Sequence, residues 1–108
     1  MARKKTSTKV ARLPIDGEMT IFRASELRAV IMPMIDNNDE IEIDLSRVTE
    51  VDGAGMQLMI SAKLESILRG KNLHYFGHSK PVLDMIDLCD LGRFFGDQVV
   101  FSSPATQH

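Results

Sequence analysis

Six consecutive residues, Glu40-Ile41-Glu42-Ile43-Asp44-Leu45, alternate an acid with an aliphatic side chain without a break. Successive side chains of a strand point to opposite faces, whereas a helix would scatter the three aliphatic groups around its circumference. This run therefore predicts a β-strand with Ile41, Ile43 and Leu45 inward and Glu40, Glu42 and Asp44 toward water. A helix over those acids would leave unpaired charges buried, which is too costly. The chain is constrained to a sheet with one packed face and one open face.

The other elements follow from periodicity and punctuation. Val10–Ile15 reads as a first strand, and Asp16-Gly17-Glu18 as a tight turn into a second strand over Met19–Phe22. Ser25 is placed to cap a helix with Leu27, Val30, Ile31 and Met34 on one face, and Pro33 predicts a kink or an early end. Ala54–Arg69 is the strongest helical pattern. Met56, Met59, Ile60, Leu64, Ile67 and Leu68 form its expected buried stripe, Gln57, Ser61 and Glu65 its outer one, and Gly70 stands where a C′ glycine belongs. Asn72–Phe76 is another strand. Ser79 opens a third helix to about Cys89, with Val82, Met85, Ile86 and Cys89 inward, and Val99–Phe101 is a last edge strand. Helical crossovers imply parallel pairing, while the opening turn implies one antiparallel pair. The expected fold is α/β, a small mixed sheet of four to five strands with helices mainly on one face. Ile41, Ile43, Leu45, Met56, Ile60 and Leu64 are expected to share its core.

A chain of 108 residues is one domain, and 44% hydrophobic with 26% charged residues suits a packed core rather than a disordered or membrane-embedded chain. Residues 1–9 read as a flexible basic arm, 10–101 as the domain and 102–108 as a flexible tail. No apolar run approaches the length of a membrane span, and no apolar segment follows the basic N-terminus, so the expected location is the cytoplasm without membrane insertion. One cysteine, Cys89, allows no internal disulfide and suits a reducing compartment. The net charge of −2 is uneven. The first twelve residues carry five basic side chains and no acid; the remainder carries eight basic against fifteen acidic, or −7. A body of that charge repels phosphate backbones and suits a partner with a basic docking face, so nucleic acid is not expected as a partner.

Enzymatic constellations are missing. The sequence has no phosphate loop of the GxxxxGK[ST] type, no GxGxxG, no HExxH and no GxSxG. His74, His78 and His108 are too scattered for a metal site. Cys89 reads as a structural thiol on an inner helical stripe. No catalytic residue, metal or cofactor is expected.

The stretch from Ile43 to Met56 is different. A strand ends, a short loop carries Asp52, and Gly53-Ala54-Gly55 opens straight into the strongest helix. Small residues there leave the first-turn N–H groups reachable by an anion or by a closely approaching partner. The plainer reading is that Asp52 caps the helix and the glycines make the turn. The residues by themselves leave both readings open.

The run Asp44-Leu45-Ser46-Arg47-Val48-Thr49-Glu50-Val51-Asp52-Gly53-Ala54-Gly55-Met56 resembles the signature of STAS domains, the anti-sigma-factor-antagonist family. The step Gly70-Lys71-Asn72-Leu73 and the stretch Leu88–Phe95 extend the resemblance over roughly Val10–Phe101. It implies a non-enzymatic module that docks onto an anti-sigma factor or kinase. Related modules serve chemotaxis clusters and ABC lipid transporters, so a chemotaxis component or an ABC ATPase is an alternative partner. A small-ligand or nucleotide sensor is a further alternative, disfavoured because no basic side chain is placed to neutralise a phosphate. The expected partner-binding residues are Asp16, Gly17, Asp52, Gly53, Ala54, Gly55, Met56 and Ser79. In phosphorylated members a serine or threonine follows the motif aspartate; here that position is Gly53 and the next is Ala54. The resemblance thus implies a docking form locked against phosphorylation at the motif, with Thr49 or Ser46 as possible substitutes.

Overall fold

A computed structural model describes residues 8–95. The elements run β1 (Val10–Pro14), β2 (Gly17–Met19), α1 (Ala24–Asn37), β3 (Glu40–Asp44), β4 (Val48–Val51), α2 (Gly53–Leu68), β5 (Asn72–Phe76), α3 (Lys80–Leu88) and α4 (Gly92–Phe95). Residues 1–7 of the expected 1–9 arm, the expected 102–108 tail and the expected Val99–Phe101 strand lie outside the described residues.

Two ladders form, β1-β3-β5 and β2-β4, and every pairing in them is parallel. The expected antiparallel pair of β1 and β2 is therefore not made. Gly17, at φ +85°, lets the chain turn after Asp16, but β2 runs on beside β4 instead of folding back on β1. Registering Ala11 with Ile41 and Leu73, and Leu13 with Ile43 and Tyr75, stacks the inward side chains in rows. Ile41, Ile43, Leu45, Leu73 and Tyr75 are all buried. On the opposite face Arg12 lies in register with Glu42 and His74, and its guanidinium pairs with Glu42 at 2.7 Å. Glu40, Glu42 and Asp44 are half-buried, shielded by neighbouring strands, and alternate with the buried aliphatics as the sequence demands.

The helices pack on the inner face. Tyr75 Oη donates to the Met59 carbonyl at 2.9 Å, and Lys63 Nζ to the Leu73 carbonyl at 2.6 Å, fixing α2 to β5. The α2 stripe is rotated from the expected one. Its buried residues are Gly55, Met56, Leu58, Met59, Ala62 and Ser66, while Ile60 is half-buried and Leu64, Ile67 and Leu68 are exposed. Small side chains at 55, 62 and 66 let the helix approach the sheet closely, and the large aliphatics of its second half are left outside. α1 continues past Pro33 to Asn37. Pro33 cannot donate to the Ala29 carbonyl, but both residues are exposed, so water can satisfy that carbonyl. Arg23, not Ser25, holds the N-cap position of α1. Cys89 ends α3 at its C-cap and is exposed, not inward. Phe95 of α4 closes the core with its ring edge-on to Tyr75 at 5.6 Å.

Candidate functional site

Asp52 organises the loop between β4 and α2. Its Oδ1 accepts from the Gly55 N–H at 3.0 Å, an N-cap bond, and its Oδ2 accepts from the Ile21 N–H at 3.0 Å. One carboxylate thus ties the start of α2 to the turn that leaves β2. These two donors, Ile21 first, hold the carboxyl below its ordinary pKa. The plainer reading of the motif holds for Asp52, which does cap the helix. It also weakens the anion-site alternative, because the carboxylate already occupies the helix start.

The two glycines differ. A Cβ on Gly55 would lie 1.9 Å from the Met19 carbonyl oxygen and 3.0 Å from Val51 Cγ2, so only glycine lets β2 and α2 approach this closely. A Cβ on Gly53 would meet no atom within 4 Å, and Gly53 has no left-handed φ. Gly53 is exposed, and neither turn geometry nor packing demands a glycine there. Ala54 is half-buried beside it, and Met56 points into the core.

The remaining expected site residues are spread along the same edge of the fold. Asp16 is exposed and sits 3.7 Å from the Arg47 guanidinium, and Gly17 donates to the Arg47 carbonyl at 3.1 Å. β2 separates this pair from Asp52. Ser79 holds the N-cap of α3, but its hydroxyl makes no cap bond and has no hydrogen-bond partner among the described residues. The Ser46 N–H donates to Asp44 Oδ1, and a Cβ on Gly77 would meet both Asp44 and Ser46. The Ser46 N–H and hydroxyl hold the Asp44 carboxyl below its ordinary pKa. Thr49 is exposed on β4. Asp52–Met56 therefore form one compact unit, with Asp16-Gly17 and Ser79 set apart from it along the strand ends.

Two features escaped the sequence pattern. Ile21 and Phe22, expected inside a strand, form an exposed turn directly against Asp52. Beside it a groove of about 380 Å³ opens between α1 and α2, lined by Ala24, Ser25, Arg28, Ala54, Gln57 and Ser61. Arg28 Nη1 reaches across to the Ser61 hydroxyl at 3.2 Å. Ile21 and Phe22 carried a signal: they directly precede a helix start.

Comparison with known proteins agrees with this architecture. A family model described as "Mlab, STAS domain" matches residues 2–100. No curated protein matches in sequence. A sulfate transporter family protein from Wolinella succinogenes superimposes with a TM-score of 0.71 at 20% identity, covering 89% of this chain and 79% of that one. The anti-sigma factor antagonist SpoIIAA in its unphosphorylated form superimposes with a TM-score of 0.68 at 18% identity, covering 94% of this chain and 89% of that one. At such identities the structures testify to the fold. The family match over nearly the whole length, the strand-loop-helix unit around Asp52 and the shared fold together establish that the chain belongs to the STAS domain family.

Proposed function

We propose that this STAS domain is a non-enzymatic regulatory module of the cytoplasm that docks onto a protein partner through the start of α2. Gly53 carries the reading. It is exposed and free of any structural need for glycine, and it stands where phosphorylated relatives place a hydroxyl. A module with no acceptor there stays in its docking form, because phosphorylation would otherwise add nearly two negative charges to that surface. The partner is an anti-sigma factor or kinase, a chemotaxis component or an ABC-transporter ATPase.

The test places a carboxylate at the site. Gly53→Asp meets open space, carries no left-handed backbone and lies at a helix start that favours negative charge, so the protein folds. Affinity for the cognate partner is expected to fall at least about tenfold, or roughly 1.4 kcal/mol. Asn72→Asp, exposed at the opposite end of the sheet, is the matched control and binds as wild type. A folded Gly53→Asp protein that binds undiminished contradicts the proposal. Incubation with partner and ATP should leave residues 46–56 unmodified in phosphopeptide mapping; phosphate on Thr49 would end the locked-form reading.

A further inference from the structure

The turn over Thr20–Arg23 has an unusual division of labour. The backbone N–H groups of residues 21–23 are all tied down. The Arg23 N–H donates to the Thr20 carbonyl at 2.9 Å, the Phe22 N–H to Thr20 Oγ1 at 3.3 Å and the Ile21 N–H to Asp52 Oδ2. Thr20 Oγ1 in turn donates to Glu18 Oε1, and Arg23 Nη1 donates to the carbonyls of Asp16 and Glu18. Yet the two apolar side chains this scaffold holds are turned outward, Ile21 66% exposed and Phe22 86%. A mobile loop would expose them by default; this one is built to present them. A preorganised aromatic loses little freedom when it enters a pocket, and buried aromatics dominate protein interfaces.

The surroundings specify what receives them. Glu18 and Glu50 are register partners across β2 and β4, a like-charge pairing that costs stability in a sheet. Asp52 stands one step beyond Val51, and the exposed Glu26 lies in the first turn of α1. Arg23 is turned inward onto backbone carbonyls and Glu26, and Arg28, in the groove beside the turn, reaches across to the Ser61 hydroxyl. On the elements flanking the apolar pair, the acids Glu18, Glu26, Glu50 and Asp52 thus outnumber the cations Arg23 and Arg28.

Resting on the docking reading above, we propose that Ile21 and Phe22 are the apolar anchor of the docking face. The partner is a protein offering an apolar pocket rimmed by lysine or arginine. An anionic lipid surface would be repelled by this excess of acids, and a second copy would set the same excess against itself.

The experiment begins with Phe22→benzoylphenylalanine, photocrosslinked in the native host beside a Leu88→benzoylphenylalanine control at another exposed apolar position. The protein crosslinked through position 22 is identified, purified and titrated. Phe22→Ser and Ile21→Ser are expected to weaken binding at least about tenfold, with unfolding temperatures unchanged. Glu50→Lys is expected to weaken it and flatten its dependence on salt. No crosslink at position 22 above the Leu88 level overturns the proposal. So does undiminished binding by Phe22→Ser. Phe22-dependent binding to phosphatidylglycerol vesicles, or Phe22-dependent dimerisation in light scattering, also overturns it. If Gly53→Asp weakens binding while Phe22→Ser does not, the anchor fails and the motif reading stands. If only Phe22→Ser weakens it, the anchor stands and the motif reading fails.

Discussion

A Cβ at Gly55 would sit 1.9 Å from the Met19 carbonyl oxygen, a separation that backbone must move to relieve. Gly55→Ala should therefore cost at least about 1–3 kcal/mol in urea unfolding, as overpacking against main chain. Gly53→Ala faces open space and should be neutral or stabilising by about 0.4–1 kcal/mol. Equal effects of the two substitutions would contradict the assignment of one glycine to packing and the other to the surface. Both glycines are plain in the sequence, but their roles are not, because the difference depends on β2 lying against one of them. Asp52 makes a pH-dependent contribution of known sign. Its native pKa is lowered by the Ile21 and Gly55 N–H donors, so the stability it supplies is present above the ordinary carboxylate pKa of about 3.9 and is lost as pH falls through the native value. Asp52→Asn keeps one acceptor of two. Its unfolding temperature should fall less steeply than wild type below about pH 4, with Asp44 supplying part of what remains. Parallel pH profiles for the two proteins would rule out the Asp52 clamp.

Among the elements, β3 was the easiest to read, since three acids alternating with three aliphatics allow one conformation. β5, the start of α2 and the body of α3 were also legible from periodicity and small or polar punctuation. α2 was legible in extent but not in rotation. Both of its sides carry aliphatic residues, so the period alone cannot choose, and the smaller inward residues Gly55, Ala62 and Ser66 carry little hydrophobic signal. The choice is measurable. Leu64 is 46% exposed and Met59 fully buried, so Leu64→Ala should cost under about 1 kcal/mol, and Met59→Ala about 2–5 kcal/mol. The reverse order would restore the stripe expected from sequence. β4 was hidden for a different reason. Val48 is buried but Thr49 and Glu50 are both exposed, so the strand lacks alternation and reads as loop. β4 is the partner of β2 among the described residues, and with it hidden the sequence does not show that β2 stops at Met19 and leaves Ile21 and Phe22 in a turn.

For the molecule as a whole, the parallel strands place their carboxyl ends, and with them the loops after β2 and β4, along one edge. α1 and α2 leave their groove beside that edge. No helix among the described residues is long and apolar enough to cross a membrane. The sequence carried the family through the motif around Asp52, but the shape of the proposed docking face arises only when Ile21 folds onto that aspartate. On the proposed function, partners meet this edge. The most direct measurement is the set of amide chemical-shift changes in isotopically labelled protein titrated with its cognate partner. The large changes are expected to cluster at residues 21–25 and 53–57. Changes centred instead on Arg12, Glu42 and His74 of the open sheet face, or on Leu64, Ile67 and Leu68, would contradict it.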